Sequence, residues 1–103
     1  MKDNQVVRMV EEGALVLSER SRLELFRVLS LPENDWKTTG ILADKAGIRP
    51  SVASHHLQIM ETSGWVKRVT SGPHARWSLN RERLEEFELA LRLMMKGVSE
   101  WQS

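Results

Sequence analysis

Apolar residues recur at steps of three and four from Asn4 to about Leu17, through Val6, Val7, Val10, Ala14 and Leu17. That spacing predicts a first helix with one apolar stripe. Ser18 to Ser21 is a polar break with capping potential, and Leu23, Leu25, Phe26 and Leu29 predict a second helix that Pro32 should end. Pro32 to Asp35 reads as a turn, and Trp36 to Thr38 as a short extended piece. Thr38 or Thr39 then caps a short third helix through Ile41, Leu42 and Ala46, stopped by Gly47. Pro50 suits the first turn of a fourth helix, where its missing amide hydrogen would have no intrahelical partner in any case. Val52, Leu57, Ile59 and Met60 supply its apolar positions and Gly64 closes it.

Beyond Gly64 the period changes from helical to alternating. Trp65 to Val69 and Ala75 to Leu79 predict two half-buried strands, with Ser71-Gly72-Pro73-His74 as the turn between them. Asn80 is expected to cap a last helix in which Leu84, Phe87, Leu91, Met94, Val98 and Trp101 form a heptad seam. Such a seam wants a partner. Residues 1–103 show no internal repeat and no dividing linker, so they read as one domain of mainly helical class. Its order is helix, helix, helix, helix, hairpin, helix. Two short helices joined by Gly47-Ile48-Arg49 and followed by a hairpin have the layout of a winged helix-turn-helix.

Charge sharpens this picture. The net charge of the 103 residues is only +1, but its distribution is uneven. Between Lys45 and Trp77, the cations Lys45, Arg49, Lys67, Arg68 and Arg76 stand against Glu61 alone, and all three histidines fall in the same stretch. Both flanking segments carry a net negative charge. A polyanionic partner should therefore meet the middle of the chain. The chain has no cysteine, which excludes disulfides, thiolate metal ligands and thiol redox sensing. Met1-Lys2-Asp3-Asn4 opens no signal peptide, and no run approaches the roughly 18 apolar residues that cross a bilayer. A cytoplasmic protein without a membrane contact is the expectation.

A helix-turn-helix lays the exposed start of its second helix in the DNA major groove, which admits a helix and displays a distinct edge for each base pair. Arg49, Ser51, Ser54, His55 and Gln58 are the candidates for that contact. Arginine can fork onto guanine, glutamine onto adenine, and the hydroxyls serve bases or phosphates. The hairpin offers Lys67, Arg68, His74 and Arg76 for phosphate contact or a minor-groove visit. Together these residues are expected to form one basic face.

From about Leu17 to Leu79 the sequence resembles the ArsR/SmtB family of winged-helix repressors. The resemblance rests on Ser21-Arg22-Leu23-Glu24-Leu25-Phe26, on Leu42-Ala43 with Gly47-Ile48, and on Ser54-His55-His56-Leu57 with Gly64-Trp65-Val66 seven residues later. It implies a homodimer held by the first and last helices, with Val6, Val10, Leu84, Phe87, Leu91, Met94, Val98 and Trp101 at the interface. It also implies a repressor bound to a palindromic double-stranded operator and released by a signal. Two departures bear on that signal. Thr38 and Gly40 stand where the family's metal sensors carry Cys-x-Cys, and residues 80–103 contain no histidine for the family's other site. No metal site and no cofactor are expected, and the residues leave open whether a small-molecule effector exists. Arg49 replaces the usual serine before the recognition helix, weakening that cap and offering a DNA contact instead.

Plainer readings exist for each feature. His55 and His56 are adjacent on a helix and point about 100° apart, so they chelate poorly together. The basic hairpin could be a solvated edge that resists aggregation, and the heptad could cover its own core. Trp65 and Trp77 are expected to plug the hairpin onto the helices, their ring nitrogens finding partners or solvent. Glu82, Glu85, Glu86 and Glu88 suit the first turns of a helix, where the dipole favours acids. No nucleophile, base and orienting group assemble, so no enzyme is expected. The leading reading is a DNA-binding transcriptional regulator. A winged-helix module that binds protein, as an anti-activator or adaptor, stays open, and a metal-responsive switch is a distant third.

Overall fold

The structure, a computed structural model, describes residues 1–32 and 36–101. The turn expected at Glu33 to Asp35 lies outside the described residues. Five helices and three short strands follow one another: α1 (Asp3–Val16), α2 (Arg20–Leu29), β1 (Lys37–Thr38), α3 (Thr39–Ala46), α4 (Pro50–Thr62), β2 (Val66–Ser71), β3 (His74–Leu79) and α5 (Arg81–Met94). A 3-10 segment, Lys96–Glu100, closes the described chain.

Local chemistry sets most of these boundaries. The α2 cap is Glu19, whose carboxylate accepts from the Arg22 amide at 3.2 Å, rather than one of the serines beside it. Thr38 caps α3 by accepting from the Ile41 amide at 3.3 Å. Gly47 ends α3 in the left-handed region, φ 71°, and lets the Ile48 amide return to the Ala43 carbonyl at 3.0 Å. Pro50 opens α4 as expected. Asn80 precedes α5, but its side chain does not cap that helix. Its Nδ2 donates instead to the Gly64 carbonyl at 2.9 Å, tying the start of α5 to the loop after α4.

The extended piece at 36–38 proves to be a third strand. The sheet is antiparallel in the order β1-β3-β2, with Lys37 opposite Trp77 and Thr38 opposite Arg76 on one side of β3. On the other side Val66 faces Leu79, Arg68 faces Trp77 and Val69 faces Arg76. Leu25, Val28, Leu42, Ala53, Leu57, Met60, Trp65 and Trp77 are buried in one cluster beneath it. Trp65 meets Phe26 edge-on at 5.6 Å and Phe87 at 5.3 Å between ring centroids. The indole nitrogen of Trp77 donates to the Thr39 hydroxyl at 2.9 Å, so this buried N–H is satisfied and the hairpin is pinned to the start of α3.

The last helix departs from its expected length. α5 stops at Met94, and Val98 and Trp101 leave the heptad seam, Val98 in the 3-10 segment and Trp101 beyond it. Gly97 lies in that stretch, and a glycine costs about 1 kcal/mol of helix propensity relative to alanine. Part of the seam is also used within the chain: α1 packs on α5, Val6 is buried, and Leu84 and Phe87 pack against the chain's own core. Gly13 lets α1 come close to α5, for a Cβ there would overlap the Phe87 ring and touch Trp65. Gly13→Ala is therefore expected to lower stability despite its better helix propensity. Overpacking costs about 1–3 kcal/mol against a propensity gain of up to about 1 kcal/mol. Denaturant unfolding would show this as a lower midpoint at unchanged slope.

Candidate nucleic-acid interface

The two sides of α4 differ sharply. Ala53, Leu57 and Met60 are fully buried, while Ser51, His55 and Gln58 are exposed and Ser54 is half-buried. Residues 51, 54, 55 and 58 are spaced three, four and seven apart from the first, which places them on one helical face, and Gln58 donates to the Ser54 hydroxyl at 3.2 Å. The buried stripe locks the helix in rotation, so the polar stripe is held outward. Arg49, exposed at the α4 N-terminus, offers no side-chain cap.

Strand alternation sorts the hairpin cations into two groups. Cross-strand pairs share a face, so Arg76 lies with Val69 and Lys67 with Ser78, all opposite to the face of buried Trp77. His74 has the same parity as Arg76. Arg68 lies on the Trp77 face: its guanidinium sits 5.8 Å from the Trp77 ring centroid and 3.4 Å from the Glu61 carboxylate. The four hairpin cations thus do not form the single face expected, because a period of two sends Arg68 to the other side from Lys67. Among the described residues, the side chains of Arg49, Lys67, His74 and Arg76 make no hydrogen bond or ion pair.

A groove of about 480 Å³ joins the two elements. Ser54 and Pro50 of α4 form one wall, Pro73, His74 and Ala75 of the hairpin another, and Thr38, Thr39 and Gly40 its floor at the start of α3. Ser54 and His74, predicted from separate motifs, therefore border one cleft. The hydroxyls of Thr38 and Thr39 are engaged, with the Ile41 amide and the Trp77 indole respectively.

His56 turns from this face toward α2. Its Nδ1 lies 3.2 Å from Arg22 Nη1, its Nε2 lies 3.5 Å from Glu19 Oε2, and its side chain is only 13% exposed. Arginine can only donate, so Nδ1 must accept and the ring proton belongs on Nε2, facing Glu19. Burial lowers the His56 pKa from its ordinary 6.5, helped by the charges of Arg22 and His55 and opposed by Glu19. For Glu19 burial pushes the pKa up, but hydrogen bonding from the Arg22 amide and the attraction of His56 prevail and hold it below 4.5.

The residues expected at a self-association surface differ in exposure. Val10 and Leu91 are half-buried, and Met94, Val98 and Trp101 are exposed. Leu89 and Leu93, one turn apart on α5 and 49% and 41% exposed, fall outside the predicted seam. Their four-residue spacing was a signal for a second apolar face. Val7 and Leu15 are likewise exposed on α1. No helix among the described residues is long and apolar enough to cross a membrane.

No family profile matches the sequence, and no curated protein is similar to it. Solved structures are. An ArsR-like transcriptional regulator from Rhodococcus sp. RHA1 superposes with a TM-score of 0.73 at 17% identity, over 91% of this chain and 86% of the other. The chain has the winged helix-turn-helix fold of ArsR-type regulators. A homodimeric winged helix-turn-helix DNA-binding domain from Mycobacterium bovis, a possible ArsR-family regulator, matches at TM-score 0.64 and 17% identity, over 97% and 91% of the two chains. The antimony-specific transcriptional repressor AntR matches at TM-score 0.62 and 22% identity, over 93% and 82%. At these identities the likeness to ArsR-type proteins is one of fold.

Two outcomes follow for the folded protein alone. Arg49→Ala, Lys67→Ala and Arg76→Ala should each leave stability within about 0.5 kcal/mol of the parent, as partnerless surface groups do, in thermal unfolding. The depressed His56 pKa means that the unfolded chain binds a proton more readily than the folded one. Its contribution to stability is complete above pH 6.5 and is lost as pH falls below that value. Thermal midpoints of the parent should drop more between pH 7.5 and 5.5 than those of His56→Asn.

Proposed function

We propose that the chain is a member of the ArsR/SmtB family, a homodimeric repressor of transcription that binds a palindromic double-stranded operator in the cytoplasm. The groove lined by both Ser54 and His74 supports this reading, because one DNA duplex could meet the outward stripe of α4 and the tip of the wing together. In this arrangement Arg49, Ser51, Ser54, His55 and Gln58 enter the major groove, and Lys67, His74 and Arg76 hold the phosphate backbone. Arg68, committed to Glu61 and Trp77, contributes long-range charge more than direct contact.

Dimerisation is supported by the apolar residues exposed on α1, α5 and the segment after them, Val7, Leu15, Leu89, Leu93, Val98 and Trp101. Exposed apolar residues gathered on elements that pack together suit an association site. A two-fold dimer would offer two recognition helices to half-sites about 34 Å apart. The signal that releases the repressor is not a soft metal bound by thiolates: the chain has no cysteine, and Thr38 and Gly40 supply no soft ligand at the start of α3.

Selection of bound duplexes from a random pool tests the reading directly. Enrichment of a palindrome is the expected result, and retention of no sequence above background would overturn it. Arg76→Ala should weaken binding to all sequences and reduce the salt dependence of log K by about one unit, with a smaller effect from Arg68→Ala. Arg49→Ala should cost about 1–3 kcal/mol and relax selection at one base pair. Leu93→Glu should halve the mass measured by light scattering at micromolar concentration while leaving the circular dichroism spectrum unchanged.

A further inference from the structure

Arg22 sits in the first turn of α2, yet its guanidinium serves two other helices. Its Nε donates to the Val16 carbonyl at 2.7 Å and its Nη2 to the Leu15 carbonyl at 3.2 Å. Both acceptors belong to the last turn of α1, where helix carbonyls lack intrahelical partners. Its third nitrogen, Nη1, reaches His56 Nδ1 on α4 at 3.2 Å. One planar fork thus bonds the end of α1 to the recognition helix, with Glu19 closing the far side of the imidazole. His55, whose ring centroid lies 5.1 Å from that of His56, faces outward in the proposed DNA contact.

We propose that Arg22 and His56 are positioning residues for the recognition helix: through a proton-free Nδ1 they couple α4 to α1, and DNA affinity falls when His56 takes a proton. This inference rests on the DNA-binding reading above. A proton on Nδ1 sets an N–H against the N–H of Arg22 and places two cations in contact, so the bond between α2 and α4 is lost while Arg22 keeps its hold on α1. The charged and titratable groups facing the ring are Arg22 and Glu19 from the α2 side and His55 on α4 itself. Glu19 favours the protonated ring but approaches only Nε2, so it cannot restore the lost bond. Because α1 belongs to the proposed dimer surface, the link also relates the spacing of the two recognition helices to the placement of each.

His55 and His74, the other two histidines of the sequence, belong to the proposed DNA contact, and replacing them leaves His56 as the sole histidine. The test therefore uses the full chain carrying His55→Gln and His74→Gln, with a duplex selected by the parent. Affinity is expected to fall about fivefold or more from pH 7.5 to 5.5, with helical circular dichroism retained. Adding His56→Asn puts an amide oxygen where Nδ1 lies, keeps an acceptor for Arg22 and removes the titration; binding at pH 7.5 should persist and the acid loss should vanish. An acid loss that survives His56→Asn overturns the proposal. In the free protein, nitrogen NMR should show Nδ1 unprotonated at pH 7.5, and the Val16 and Leu17 amides, which share peptide planes with the two acceptor carbonyls, should shift with the titration of His56 as Arg22 Nη1 is released. Absence of that shift overturns the link even if DNA binds. No DNA binding at any pH, with the shift present, overturns the DNA-binding reading and the affinity claim while supporting the link.

Discussion

The rotation of α4 about its own axis is the constraint on which the rest depends. Ala53, Leu57 and Met60 are wholly enclosed among Leu25, Leu42, Trp65 and Trp77, and burying side chains of this size is worth about 1.5–3 kcal/mol each for the larger two. Turning the helix by one residue would move that stripe about 100° and drive Ser54 or His56 into the core. Packing alone therefore decides that Ser51, His55 and Gln58 face outward. The same cluster holds Trp77, whose indole bond to Thr39 fixes the hairpin beside α3. One apolar core thus positions both the helix and the wing, with the Glu61–Arg68 ion pair at 3.4 Å as a direct polar contact between them.

Electrostatics acts on that frame rather than building it. A net charge of +1 would give a weak attraction to DNA if spread evenly, but Arg49, Lys67, His74 and Arg76 make no hydrogen bond or ion pair among the described residues: His74 lines the groove between α4 and the hairpin, Arg49 adjoins it at Pro50, and Lys67 and Arg76 lie on the hairpin face opposite Trp77. Anionic side chains are held elsewhere, in pairs such as Glu12 with Arg83 at 2.7 Å and Glu88 with Arg92 at 2.7 Å. Exposed pairs of this kind add little stability.

Much of this was legible from periodicity and punctuation. Gly47, Pro50 and Gly64 marked the limits of α3 and α4, Thr38 its cap, and the change of period at Trp65 the hairpin. Features that depend on a distant partner were not. The short extended piece at Trp36 to Thr38 was legible, but not that Lys37 and Thr38 become β1 by pairing with the edge of β3. Asn80 looked like a cap, yet the Gly64 carbonyl takes its amide. Arg68 was grouped with Lys67 by charge, although adjacent strand residues face opposite ways. The heptad suggested one long helix to Trp101, since spacing alone does not register that Gly97 weakens it. Arg22 lay inside a family-like segment with no sign that it reaches α1 and α4 together.

The central claim is that α4 and the wing form one DNA-facing surface. Amide chemical-shift mapping of the protein with a selected duplex tests it most directly. The account predicts that the largest shifts run through residues 49–58 and 74–76 and along β2 at Lys67, with α5 nearly silent. Shifts confined to α1 and α5, with residues 49–58 unmoved, would contradict it.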